Sequence, residues 1–371
     1  IGAMIGIVAL VSRAHGAGDG PGAAAVFRQG LRWALLVGSL AVLAVMFGET
    51  ALRAVGHAPA LVEAGGSVAR FLAPGALAHM LFVAATFYLE GTGRPRAGLV
   101  AMLLANLVNI TGNTLLIPEM GADGAALATT VARIVTAAAL LTYVLSRPEV
   151  RAARAGPWAA GREMRVIGLA SGAAFAFETM AFAALNQVAG LISEEALIAY
   201  TIAHSVQSLI FMIALGLSVA AGVRVGAALG RGELEEARFA GLSGLGATVV
   251  AMAVVNLGVM AFAGEIAGIY STDAAVAGAA AALFPLLALT LLFDGGQVVM
   301  GQCCRAFGDS WQTTLRFFLA FWVMMVPLGA WLGFSGMGAA GLLLGTVAGC
   351  VVAVALFTLR FLQLAGGARA H

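Results

Sequence analysis

Two carboxylic acids stand inside stretches that are otherwise apolar. Glu178 lies in Ala174-Phe-Ala-Phe-Glu178-Thr-Met180 and Asp294 in Leu291-Leu-Phe-Asp294-Gly-Gly-Gln297. Placing a charge at the centre of a membrane helix costs about 2.5–3.5 kcal/mol on insertion scales, so an acid retained there is a candidate for function. Such a group carries a proton when neutral and holds a monovalent cation when ionised, which is the chemistry of ion coupling. The bland alternative is a hydrogen bond to a neighbouring helix that serves only as structural glue. Gly295 and Gly296, beside Asp294, are read as allowing the backbone to open locally.

The first half offers amides instead of acids, and no acid is expected within its spans. Asn106, Asn109 and Asn113 share one apolar run, and Asn109 and Asn113 are one helical turn apart on the same face. Their amides suit a cation or a cationic substrate, or else a bond across helices. Thr129 and Thr130 follow on the next run, where a Thr readily bonds back to its own helix. Arg133 is expected to snorkel or to meet a helix end. His79 and His204 read as packing residues, and Gln187, Gln207 and Gln297 as cavity liners. The sequence contains no metal-ligand spacing, P-loop or nucleophile elbow, and neither acid has the Gly-x-Gly-Asp context of an intramembrane protease. No enzyme activity is expected.

The elements that hold these residues follow from composition. Hydrophobic residues make up 61% of the 371 positions and charged residues 10%, with a mean hydropathy of +0.98. A soluble domain carries about 25% charged residues because its surface faces water. Net charge is +2 and all twenty basic residues are Arg, which leaves no basic field for nucleic acid. Cys303, Cys304 and Cys350 sit in apolar runs and read as small core residues, not as a disulfide or zinc framework.

A membrane helix needs about 20 mostly apolar residues. Such runs are found near 30–48, 66–89, 97–117, 123–145, 164–191, 196–220, 240–263, 277–302, 312–333 and 338–360, with a partial one at 1–12. No polar face alternates with the apolar one, which excludes a soluble bundle. The sequence opens inside an apolar run, without Met or a basic leader region, and that start reads as a cut. Of the twenty Arg, Arg53 and Arg70 fall on one side and Arg133 within a span. The other seventeen, including Arg224 and Arg305 in expected loops and Arg369 in the tail, fall on the opposite side. The positive-inside rule makes that side, and the C-terminus, cytoplasmic.

The halves echo each other. Met120-Gly-Ala-Asp-Gly124 matches Met337-Gly-Ala-Ala-Gly341, Gly93 matches Gly308, Pro74 matches Pro285, and Gly30-Leu31 matches Gly241-Leu242. A duplication follows, with six spans in the second half, five in the first and one N-terminal helix missing. The expected fold is all-α: a polytopic membrane protein of two pseudo-symmetric six-helix bundles with eleven spans present. Residues 1–147 form the N-terminal bundle, 148–165 a cytoplasmic linker and 166–371 the C-terminal bundle. Parallel repeats of this kind place a transport site between the halves near mid-membrane.

Several stretches carry a family resemblance, in order along nearly the whole chain. They are Val11-Ser-Arg-Ala-His-Gly-Ala-Gly-Asp19, Tyr88-Leu-Glu-Gly-Thr-Gly-Arg-Pro-Arg96, Asn109-Ile-Thr-Gly-Asn113, Met120-Gly-Ala-Asp-Gly-Ala-Ala-Leu-Ala-Thr129, Val223-Arg-Val-Gly-Ala-Ala-Leu-Gly-Arg-Gly232 and Phe307-Gly-Asp309. The chain resembles the multidrug and toxic compound extrusion (MATE) transporters, in their NorM-type branch. The resemblance implies twelve helices in two bundles, with this chain beginning in the second. It implies cation coupling at Glu178 and Asp294, and an N-lobe polar cavity at Asn109, Asn113 and Thr129. The stretch Ile198-Ala-Tyr200-Thr201 departs from the branch by lacking its His-Gln pair, and the family's first-helix Asp has no position in this sequence.

The expectation is therefore a secondary antiporter exporting organic, cationic compounds in exchange for Na+ or H+. It needs no cofactor beyond the coupling ion and is expected as a monomer in the inner membrane. The alternatives are a flippase of lipid-linked saccharides, which requires a basic cavity, and a non-transporting scaffold or receptor.

Overall fold

The computed structural model describes residues 1–56 and 58–367; Arg369 lies outside the described residues. Described residues outside turns are helical almost throughout, as expected where no water remains to satisfy open backbone groups. The chain divides into two compact units, one holding residues 3–168 and the other running on from Leu169.

In the first unit, α1 (Ile5–Gly16), α2 (Gly20–Met46) and α6 (Ala122–Leu145) pack on α4 (Pro59–Gly91), and α5 (Pro95–Met120) packs on α6. A short α3 (Gly48–Ala54) links α2 to α4. Asp19 starts α2 by accepting the Gly22 N–H at 2.7 Å, with Pro21 in the first turn, where its missing donor costs nothing. The last segment carries α7 (Pro148–Ala152) and a 3₁₀ turn at Trp158–Gly161.

In the second unit, which takes up α8 (Arg162–Ile192) from Leu169, α13 (Phe284–Ala306) is the central helix. It packs against α9 (Glu194–Arg231), α10 (Leu234–Ala261) and α16 (Gly338–Ala365). The short helices α11 (Ala263–Tyr270) and α12 (Ala274–Ala281) precede it. The next crossing alternates α14 (Ser310–Phe318) and α15 (Val326–Leu332) with π-helical stretches at Leu319–Met325 and Gly333–Met337.

Among the described residues, nine stretches are long and apolar enough to cross a membrane. The last of them, Ser310–Ala365, contains two crossings that fold back on each other at Gly336 and Gly338, both at positive φ. With the shorter apolar Gly2–Gly16 these make the eleven expected spans. Outward-facing residues such as Leu103 and Leu107 of α5 and Leu257 of α10 are exposed, as a lipid-facing surface requires.

The duplication is written in the backbone. Gly18 and Gly232 (φ 72° and 78°), Gly93 and Gly308 (71° and 82°), and Gly121 and Gly338 (57° and 56°) make matching turns after matching helices. Each is Gly because a Cβ disfavours positive φ.

Three expectations change. The span expected at 277–302 begins at Phe284, because the chain turns at Ala282 and Leu283 ahead of Pro285, which tolerates only a helix's first turn. Helix α9 runs on to Arg231, since no stop signal precedes Gly232, so Arg224 extends a helix and is not in a loop. Arg305 also lies on a helix, the last turn of α13, and is buried.

Candidate functional site

Helix α13 is the most enclosed element of the second unit, buried almost continuously from Asp294 to Ala306. Asp294 is 2% exposed. Its Oδ1 accepts the Gln297 amide, one turn along the same helix, at 3.0 Å, and its Oδ2 accepts the Gln207 amide of α9, also at 3.0 Å. The Cys350 thiol of α16 lies 3.9 Å from Oδ1. Both oxygens are thus met by neutral donors, so burial leaves neither without a partner. A glutamine amide offers N–H to a carboxylate or, rotated by half a turn, its carbonyl to a protonated acid. The same two side chains can therefore serve either charge state of Asp294.

Glu178 of α8 is partly exposed. Its carboxyl neighbours the same Gln297 and lies within electrostatic reach of Asp294 and Arg305. Two acids and one guanidinium therefore lie in the same part of the unit, with Asp294 hydrogen-bonded to the amides. Such a group can exchange one positive charge, as a proton or a bound cation, for internal pairing.

Gly295 and Gly296 do not open the helix, contrary to the expectation. Helix α13 is regular through both, and a Cβ on Gly295 would come within 2.9 Å of Met252 and one on Gly296 within 3.0 Å of Val354. The glycines let α10 and α16 close on the acid.

In the first unit, Asn109 donates to Thr129 Oγ1 at 3.2 Å and Asn113 donates to Asn109 Oδ1 at 3.1 Å, while Thr129 bonds back to Ala125 O at 2.9 Å. The three form one ladder across α5 and α6. Asn113 Oδ1 at its end is buried without a hydrogen-bond partner. Of the three glutamines read as cavity liners, Gln207 and Gln297 hold Asp294 and Gln187 is exposed. His204 stacks on Tyr200 and packs at a tilt against Phe182, and His79 stacks on Phe82.

Three polar residues escaped the sequence reading. Cys350 looked like a filler, and its place beside Asp294 depends on how α16 packs. Arg305 falls in an expected loop by sequence and is buried on α13 in the structure. Glu90 is an acid within α4, its Oε2 buried without a partner, and Thr86 Oγ1 one turn earlier is in the same condition. The first half therefore does hold an acid within a span. The repeat contained the signal: Glu90 precedes Gly93 as Arg305 precedes Gly308, by three residues in each half.

Residues 1–115 and 170–331 match the MatE family profile. The probable multidrug resistance protein NorM of Caulobacter vibrioides is 35% identical over 98% of this chain and 80% of its own length. The protein of the same name from Deinococcus radiodurans is 33% identical over 100% of this chain and 85% of its own. The fold is that of a multidrug resistance MATE transporter solved in an outward-facing conformation. The TM-score is 0.91 at 22% identity, over 99% of this chain and 84% of that one. The chain spans a membrane many times over, and it belongs to the MatE family of multidrug and toxic compound extrusion transporters.

Proposed function

We propose that this protein is a secondary antiporter of the inner membrane that exports organic, cationic compounds in exchange for Na+ or H+. The observation that carries the reading is Asp294, a buried acid whose partners are neutral donors and whose neighbour is a second acid, Glu178. Relatives named as multidrug resistance proteins support the substrate class. In this reading Asp294 and Glu178 hold the coupling ion, and Asn109, Asn113 and Thr129 contribute polar contacts for the organic compound. Residues 1–147 and 166–371 act as the two bundles and 148–165 as their cytoplasmic linker. The C-terminus faces the cytoplasm and a single chain suffices.

Ion and substrate favour opposite facing states, and each shifts the balance only by its difference in affinity for the two. Buried Arg305, with Arg133 of α6, suits a flippase of anionic lipid-linked sugars, but Glu178 stands within electrostatic reach of Arg305. Purified protein in proteoliposomes, tested for efflux of a fluorescent organic cation under imposed Na+ or H+ gradients, decides the matter. Wild type is expected to respond to one of the gradients, and Asp294→Asn and Glu178→Gln to lose the response. Gradient-driven efflux that is unchanged in both variants overturns the coupling assignment.

A further inference from the structure

The segment 148–161 is held to the end of α2 by side chains that capture its carbonyls. Arg28 donates to Val150 O at 3.2 and 3.0 Å, Arg32 donates to Gly156 O at 2.8 Å, and Gln29 donates to Pro157 O at 2.8 Å and to Ala155 O. Beneath this strap is a cavity of about 180 Å³, with Leu10, Val26 and Met164 forming its apolar wall and Gln29 and Arg154 its polar one.

Two groups in that cavity are unspent. Gln29 is 4% exposed, and with its amide hydrogens committed to the strap its Oε1 is buried without a partner. Arg154 makes no hydrogen bond or ion pair among the described residues, although it lines the space. Gly161 keeps the space open, since a Cβ there would come within 3.0 Å of Gln29 Oε1 and 2.8 Å of the Arg165 guanidinium. Arg165 sits over the ring of the half-exposed Trp158, 4.0 Å from guanidinium carbon to ring centroid, and donates to Trp158 O at 2.8 Å. A Trp in that position marks headgroup depth in a membrane.

We propose that this cavity binds the glycerophosphate headgroup of an anionic phospholipid. The Arg154 guanidinium takes the phosphate through paired N–H bonds, and Gln29 Oε1 accepts a hydroxyl of the headgroup glycerol. The apolar wall receives the start of the acyl chains. Basic pockets on the cytoplasmic side of membrane helices suit such headgroups. The site rests on the orientation proposed above but not on transport, so it is tested by lipid binding alone.

The full chain is reconstituted in nanodiscs of phosphatidylcholine with or without phosphatidylglycerol, then released and analysed by native mass spectrometry for retained lipid and by thermal unfolding. Wild type is expected to retain phosphatidylglycerol and unfold later in its presence. Arg154→Ala, a change at an exposed side chain with no internal partner, weakens retention by roughly tenfold or more, as expected when a pair of charge-assisted bonds is lost. Gly161→Leu, which fills the space, does the same. Arg151→Ala, an equally exposed arginine outside the lining, leaves retention unchanged. Equal loss in Arg151→Ala means diffuse charge attraction and overturns the site. Phosphatidylserine retained as well as phosphatidylglycerol removes the role of Gln29. The same protection from free glycerol phosphate, without lipid, shows a site for soluble phosphate esters and overturns the lipid assignment.

Discussion

In the second unit the polar centre is one carboxylate surrounded by donors; in the first it is a ladder of amides and a hydroxyl that ends on a spare acceptor. Both are built on the same backbone plan. Counting back from the matching turns at Gly93 and Gly308, His79 of α4 stands where Asp294 stands in α13, fourteen residues earlier in each case. Asp294 is met by Gln207 and Gln297, whereas His79 stacks on the ring of Phe82 at 6.4 Å between centroids. Helix α4 continues through Pro74, whereas the chain breaks ahead of Pro285 and α13 begins there. Duplication thus preserved the scaffold and moved the charge. An acid at a helix position is accommodated in the core only when donors are turned towards it.

The sharpest test of that difference is substitution at the paired positions. Asp294→Asn removes a charge held by two donors, each worth about 1.5–3 kcal/mol, so gradient-driven efflux is expected to fall by roughly a hundredfold or more. His79→Asn, read in the same proteoliposomes, is expected to change efflux by less than about threefold, the scale of one ring contact. Equal losses would erase the asymmetry between the units.

The donors come next. Gln207→Leu leaves Asp294 Oδ2 without its partner at a cost of about 1.5–3 kcal/mol, seen as a shift in the cation concentration or pH that drives efflux. Asn113→Leu removes one amide bond of the other ladder, an i, i+4 pair within α5 worth about 0.2–0.5 kcal/mol. It should alter affinity for the organic compound slightly and leave the cation dependence in place. A shift in cation dependence with Asn113→Leu would place coupling in both units.

Packing should show the halves alike. A Cβ on Gly124 would sit 2.4 Å from Leu116 O, and one on its repeat partner Gly341 would sit 2.6 Å from the backbone of Leu332 and Gly333. Gly124→Val and Gly341→Val are each expected to cost about 1–3 kcal/mol, read as earlier unfolding in detergent. A tolerant Gly124 beside an intolerant Gly341 would mean that the first unit packs less tightly than the second.

The smallest effect is expected at the linker. The hydrogen bond from Arg147, with Arg94 alongside, holds the Glu149 carboxyl down to about 2 from its ordinary 4.5. A depressed carboxyl stabilises the fold above its unfolded value and loses that contribution as pH falls towards the folded one. Lowering pH from 7 to 5 should therefore leave the linker as protected from proteolysis as before, with loosening only below about 4.5 and towards 2. Loosening already at pH 6 would point to another titrating group.

Much of this was legible in the sequence because it depends on local sums. Crossings follow from apolar content over about 20 residues, and all eleven were readable, including the partial first one and the pair within Ser310–Ala365. The repeat was readable because turns at positive φ demand Gly at fixed spacing, and Glu178 and Asp294 stood out because acids are rare in such surroundings. What escaped depends on which helix faces meet. Gln207 reaches Asp294 across 87 residues and Cys350 across 56, and no window spans such distances. Arg305 and Glu90 looked like residues just past a span, and only packing decided that Arg305 is buried and that a Glu90 oxygen lacks a partner. Hydropathy is a property of each segment by itself, whereas a hydrogen bond to a buried acid belongs to the contact between segments.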